Sequence, residues 1–100
     1  MIIKEGVSIR GLQPEMMIAL MVANDLYKAN NQELVVTSGT EGIHKRNSRH
    51  YIGYAVDLRH RYYSNEMKAF IVKELQSKLG EDFLVLLERT HIHVSYKPKG

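Results

Sequence analysis

Cysteine is absent from the 100 residues of this chain, which excludes a disulfide framework and any thiolate metal site and leaves the redox compartment open. Long apolar runs are missing too, since no stretch approaches the roughly 20 residues that cross a bilayer. The N-terminus, Met1-Ile2-Ile3-Lys4-Glu5-Gly6, lacks the charged, apolar and cleavage regions of a secretory signal. Synthesis is therefore expected to end in the cytoplasm, with access to a cell wall requiring lysis or separate export. Repeats, low-complexity tracts and linkers are also lacking, so a single domain over residues 1–100 is expected.

The 44% hydrophobic and 25% charged residues place the chain among ordinary globular domains. The formal charge of +3 makes its surface mildly cationic. Lys45-Arg46, Arg49 and Arg59-His60-Arg61 are the basic clusters. They would favour an anionic partner, although such clusters are more often plain solvated faces. A nucleic-acid binder rests on charge alone and is not the expected partner.

The pattern predicts a helix from Pro14 to about Ala29. Proline suits its first turn, Glu15 its N-terminus, and Met16, Met17, Leu20, Met21 and Tyr27 are expected on one buried face. Glu33 to Ser38 reads as a β-branched strand, and Gly39 to Arg49 as a polar loop long enough to carry function. A buried strand follows at Tyr54-Ala55-Val56-Asp57-Leu58, then a basic, aromatic connection in which Tyr62 and Tyr63 are expected to pack against the core, lining a substrate groove being the alternative. Ser64 can cap a second helix whose buried side is Met67, Phe70, Ile71, Leu75 and Leu79, and Gly80 ends it. Asp82 to Leu87 and His91 to Tyr96 read as an antiparallel hairpin. The fold class expected is α+β, with two helices packed on one largely antiparallel sheet and the chemistry gathered on the sheet's other face.

That chemistry is concentrated in two segments, Ser48-Arg49-His50-Tyr51-Ile52-Gly53-Tyr54-Ala55-Val56-Asp57 and His91-Ile92-His93-Val94. A carboxylate inside an apolar strand, as at Asp57, needs a cation, a metal or several donors; backbone amides are the plainer alternative. His91 and His93 lie two apart on a strand, so both face one side while Ile92 and Val94 face the other. With His50 and Asp57, one of them completes the three-ligand set of a catalytic zinc, whose fourth position is left to water, while its neighbour can serve the reaction. His44 and His60 are read as loop-surface residues, since the set is complete without them.

Ser48-x-His50-x-x-Gly53-x-Ala55-x-Asp57 resembles the Ser-x-His-x-x-Gly-x-Ala-x-Asp signature of the zinc D-Ala-D-Ala carboxypeptidase family, which includes the L-alanyl-D-glutamate endopeptidases of phage endolysins. His91-Ile92-His93-Val94 resembles that family's second motif, and also the His-x-His strand of the hedgehog signalling domain, which shares the fold. The resemblance runs from about Val35 to Tyr96. It implies Zn2+ on His50, Asp57 and His93, with Ser48 contributing to substrate binding. Glu88, the acidic residue close before His93, is the candidate general base. His91 is then the candidate for holding the base or stabilising the oxyanion. In the alternative assignment His91 is the ligand, and Glu88-x-x-His91 resembles the arrangement of the dipeptidase members.

One departure stands out. Many relatives carry Ser-Gly-Tyr-Arg, whose Arg grips a substrate carboxylate, whereas this chain reads Ser38-Gly39-Thr40-Glu41. Arg46 or Arg49 is the candidate replacement. The function implied is a zinc metallopeptidase hydrolysing amide bonds of peptidoglycan stem peptides, as a carboxypeptidase or as an endopeptidase of a phage or prophage. A non-catalytic zinc-binding module of the same fold is the alternative.

Overall fold

A computed structural model describes residues 1–41 and 53–98. Its elements are β1 (Ile2–Ile3), α1 (Pro14–Ala29), β2 (Val35–Ser38), β3 (Ala55–Arg59), α2 (Asn65–Leu79), β4 (Phe83–Leu87) and β5 (His91–Tyr96). The strands form one mixed sheet in the order β1-β2-β3-β5-β4, antiparallel except where β1 runs parallel to β2. The α+β expectation holds. The strand at Ile2–Ile3 is an addition that its two residues were too short to announce.

Period-two alternation sorts the central strands. Val36, Val56, Leu58, Val85, Ile92 and Val94 join the helices in one hydrophobic core, while Asp57, His91 and His93 lie on the opposite side and are partly buried. The α1 contribution to that core is Met16, Ala19, Leu20, Ala23, Leu26 and Tyr27. Met17 and Met21, expected on the same face, are instead 39% and 67% exposed. At 100° per residue they project roughly 120° or more from the centre of the buried stripe, and the two alanines take the inward positions.

The α2 helix begins as expected, with the Ser64 hydroxyl accepting from the Met67 amide at 3.1 Å. Ile71 and Leu75 are buried and Met67 and Leu79 partly so, whereas Phe70 is exposed. The Gln76 side chain donates to the Gly80 and Phe83 carbonyls and accepts from the Val85 amide at 3.0 Å. This satisfies part of the outer edge of β4, which would otherwise be an open template for pairing. Among the described residues no helix is long and apolar enough to cross a membrane.

Candidate active site

Register places the sequence-predicted residues side by side. Asp57 on β3 stands directly opposite His93 on β5, with Ser38 beyond Asp57 and Leu86 beyond His93, so one cross-strand row runs Ser38, Asp57, His93, Leu86. The neighbouring row pairs Arg59 with His91. The Glu88 amide donates to the His91 carbonyl at 2.9 Å and extends the hairpin ladder by one step. By alternation this puts Glu88 on the His91 side of the sheet. The β2–β3 register slips between Val36 and Ser38, an irregularity that re-aims the end of β2 beside Asp57.

The Asp57 Oδ1 atom lies 3.0 Å from His93 Nδ1 and 3.6 Å from His91 Nε2. Asp57 is the most enclosed of the three, with 15% of its side chain exposed against 29% for His91. The Thr90 hydroxyl sits 2.9 Å from His91 Nδ1, which turns the opposite ring nitrogen toward Asp57. Two atoms bound to a tetrahedral zinc at about 2.0–2.1 Å stand about 3.3 Å apart. The two separations fall on either side of that value, and oxygen with imidazole nitrogen is a suitable donor set, so these residues fit a divalent metal in type. The 3.0 Å contact serves equally as a charge-assisted hydrogen bond. Among the described residues no group of three acidic or imidazole side chains has the arrangement of a metal site. His50, the expected further ligand, lies outside the described residues, as do Ser48, Arg46, Arg49 and His44.

Two positions of the motif acquire a physical reason. Gly53 has φ +83°, a Cβ there would collide with the Gly11 carbonyl, and its own carbonyl accepts from the Gln13 amide at 3.0 Å. Ala55 is wholly buried two residues before Asp57. A larger side chain at either position would displace the strand that presents the carboxylate.

His60 corrects an expectation. Read from the sequence as a surface residue, it is 2% exposed, and its Nε2 donates to the Glu88 carbonyl at 2.7 Å. A contact with a residue 28 positions away leaves no local signal. It ties the end of β3 to the hairpin turn that carries Glu88, Thr90 and His91. The Glu88 side chain itself is exposed and does not line the cleft described next.

Asp57 and His91 border a cleft of about 690 Å3 whose other walls include Lys4, Arg59, Arg61, Lys68 and Arg89. Tyr62 stands at this cleft with 89% of its surface exposed, so the packing expected of Tyr62 and Tyr63 holds only for Tyr63, whose ring lies 6.1 Å from that of buried Tyr27. Glu41 has a structural part. Its carboxylate accepts from the Gly39 amide at 2.7 Å, the Ser38 hydroxyl at 2.9 Å and the Ser8 amide at 3.1 Å. Burial pushes its pKa up, but these bonds outweigh it and hold the carboxyl below its ordinary value. An acid so engaged cannot do the work of the arginine that many members of the resembled peptidase family carry in this segment.

Comparison with protein-family models, curated proteins and solved structures finds no match.

Proposed function

We propose that this protein is a zinc-dependent peptidase that hydrolyses amide bonds of peptidoglycan stem peptides, with His50, Asp57 and His93 as the metal ligands. The observation that carries this reading is the meeting of Asp57, His91 and His93 on one sheet face beside a cleft. When bound there, zinc would polarise the scissile carbonyl and lower the pKa of a water molecule toward neutrality. Glu88 would accept a proton from the attacking water and return it to the leaving amine as the carbon–nitrogen bond breaks. His91, its ring oriented by Thr90, would donate toward the developing oxyanion. Ser48 and Arg46 are assigned to substrate binding.

Two observations support variants of this reading. The hydroxyl on His91 Nδ1 is the kind of outer partner that orients a metal-bound imidazole, which favours His91 as the alternative ligand. The exposed Glu88 side chain favours a non-catalytic zinc module of the same fold. Metal analysis and muropeptide digestion separate them. Wild-type protein is expected to retain one zinc after dialysis against a weak chelator and to release new amine ends from muropeptides, read by mass spectrometry. His50→Ala and Asp57→Ala are expected to lose the metal; retention by both overturns the ligand set. Glu88→Gln is expected to keep zinc and lose about a hundredfold in turnover. Zinc firmly bound with no cleavage of any stem peptide would establish the non-catalytic module instead.

A further inference from the structure

Among the described residues the walls of the cleft carry five cations, Lys4, Arg59, Arg61, Lys68 and Arg89, against the single carboxylate of Asp57. The chain as a whole is nearly balanced, with 14 Lys and Arg to 11 Asp and Glu. The excess is therefore local. These cations come from separate parts of the fold: the end of β1, the end of β3 and the residues after it, α2, and the β4–β5 turn. Like charges drawn from distant segments into one concavity repel one another and focus a positive potential there.

The backbone at the rim adds a second, independent sign. Tyr62 has φ +74° at the third position of a turn closed by the Tyr63 amide donating to the His60 carbonyl at 3.2 Å, a place usually given to glycine or asparagine and rarely to a bulky residue. The result is an almost fully exposed aromatic ring at the cleft, with the Arg61 guanidinium 5.2 Å from its centroid. Tyr63, the next residue, supplies the core packing in this segment. Burial thus accounts for Tyr63 and not for Tyr62.

We propose that this cleft is the recognition site for a multiply carboxylated peptide, with Arg61 and Arg89 gripping its carboxylates and the Tyr62 ring supporting its backbone. The proposal rests on the peptidase reading and narrows its substrate to stem peptides whose side carboxylates are free rather than amidated. An open cleft of about 690 Å3 has the volume of a site for a short peptide, and the peptidase reading, rather than the charge, is what favours a short acidic peptide over nucleic acid. It also answers the loss of the family's arginine: the charge comes from the β3–α2 connection and the hairpin turn, and Glu41 is committed to the loop.

Calorimetric titration of the intact zinc-loaded protein tests this with two synthetic stem tetrapeptides, one bearing free carboxylates and the other with its side carboxylates amidated. The free acid is expected to bind at least tenfold more tightly at low salt, with the difference shrinking as salt rises. An Arg61→Gln/Arg89→Gln protein, altered only at exposed positions, should lose that tenfold for the acid and bind the amide unchanged. Tyr62→Gly should weaken both peptides severalfold while thermal stability stays level or rises, because glycine accepts the left-handed backbone. A purely structural tyrosine would give the reverse. Equal affinity for the two peptides, or an acid affinity indifferent to the arginine substitutions, overturns the proposal. So does a short DNA strand that binds more tightly and displaces the acid. Cleavage of both peptides with equal binding would leave the peptidase reading intact, whereas selective binding without cleavage would sink that reading and keep the cleft.

Discussion

Replacing Gly53 with alanine should be among the most damaging single-methyl changes in the chain. Its φ of +83° costs an L residue about 1 kcal/mol or more. The new Cβ would meet the Gly11 carbonyl, and relieving that overlap moves backbone on one side or the other, at about 1–3 kcal/mol. Either movement strains the Gln13 amide to Gly53 carbonyl bond, a further loss of about 1 kcal/mol. We expect a total of about 3–5 kcal/mol, and a domain of this size then melts roughly 12–40 °C lower. Gly6→Ala is the control, since Gly6 has φ +85° and nothing within 4 Å of the added carbon. It should cost about 1 kcal/mol, the backbone contribution alone. Urea and thermal unfolding followed by circular dichroism measure both. If the two variants lie within about 0.5 kcal/mol of each other, the close approach of Gly11 is not what demands glycine in the motif.

Glu41→Gln should destabilise the protein by about 1 kcal/mol at neutral pH, the scale of a partly exposed charge-assisted hydrogen bond. Because the folded carboxyl lies below its ordinary value, its contribution is complete above the unfolded pKa of 4.5 and fades as pH falls through the folded one. The gap in melting temperature between wild type and variant should therefore narrow as pH falls below 4.5, and a gap constant down to about pH 3 would contradict the hydrogen-bond account. Tyr27→Phe should be neutral or stabilising by up to about 1 kcal/mol, because the buried hydroxyl has no partner among the described residues. Burial, with Tyr63 adding to it, also pushes the Tyr27 phenol well above its ordinary pKa. A loss above about 1 kcal/mol in urea unfolding would mean that the hydroxyl is bonded in solution.

The parts of the fold legible in the sequence are those whose cause is local. Ser64 capping α2, Gly80 ending it, and the alternation His91-Ile92-His93-Val94 each depend on residues within a turn or two, and each took the expected form. The stripe on α1 was misread because methionine at positions 17 and 21 advertises burial by hydrophobicity alone. Which side of a helix is buried depends on what lies beside it, and here Ala19 and Ala23 allow the close approach. His60 was misread for a related reason: its partner is a backbone carbonyl on a distant hairpin, and a carbonyl has no signature in sequence. The basic cleft was half visible. Arg59 and Arg61 are consecutive with His60 and draw notice, whereas Lys4, Lys68 and Arg89 join them only once the chain has folded.

Position in the sheet also distinguishes the site residues by how firmly each is held. Asp57 and His93 sit on β3 and β5, two of the three interior strands, each bonded along both edges. Such strands open last, and a group that must keep a fixed spacing belongs there. Glu88, Thr90 and His91 lie at or beside the hairpin turn, where the ladder ends. A base that follows a proton from water to a leaving amine, the part proposed for Glu88, needs some travel, and the end of a hairpin allows it. Unchecked travel would separate Glu88 and His91 from the Asp57–His93 pair. The His60 bond to the Glu88 carbonyl limits that drift through the backbone while leaving the Glu88 side chain at liberty to turn. A buried histidine between two cleft arginines thus has a structural task, holding the end of β3 to the hairpin turn.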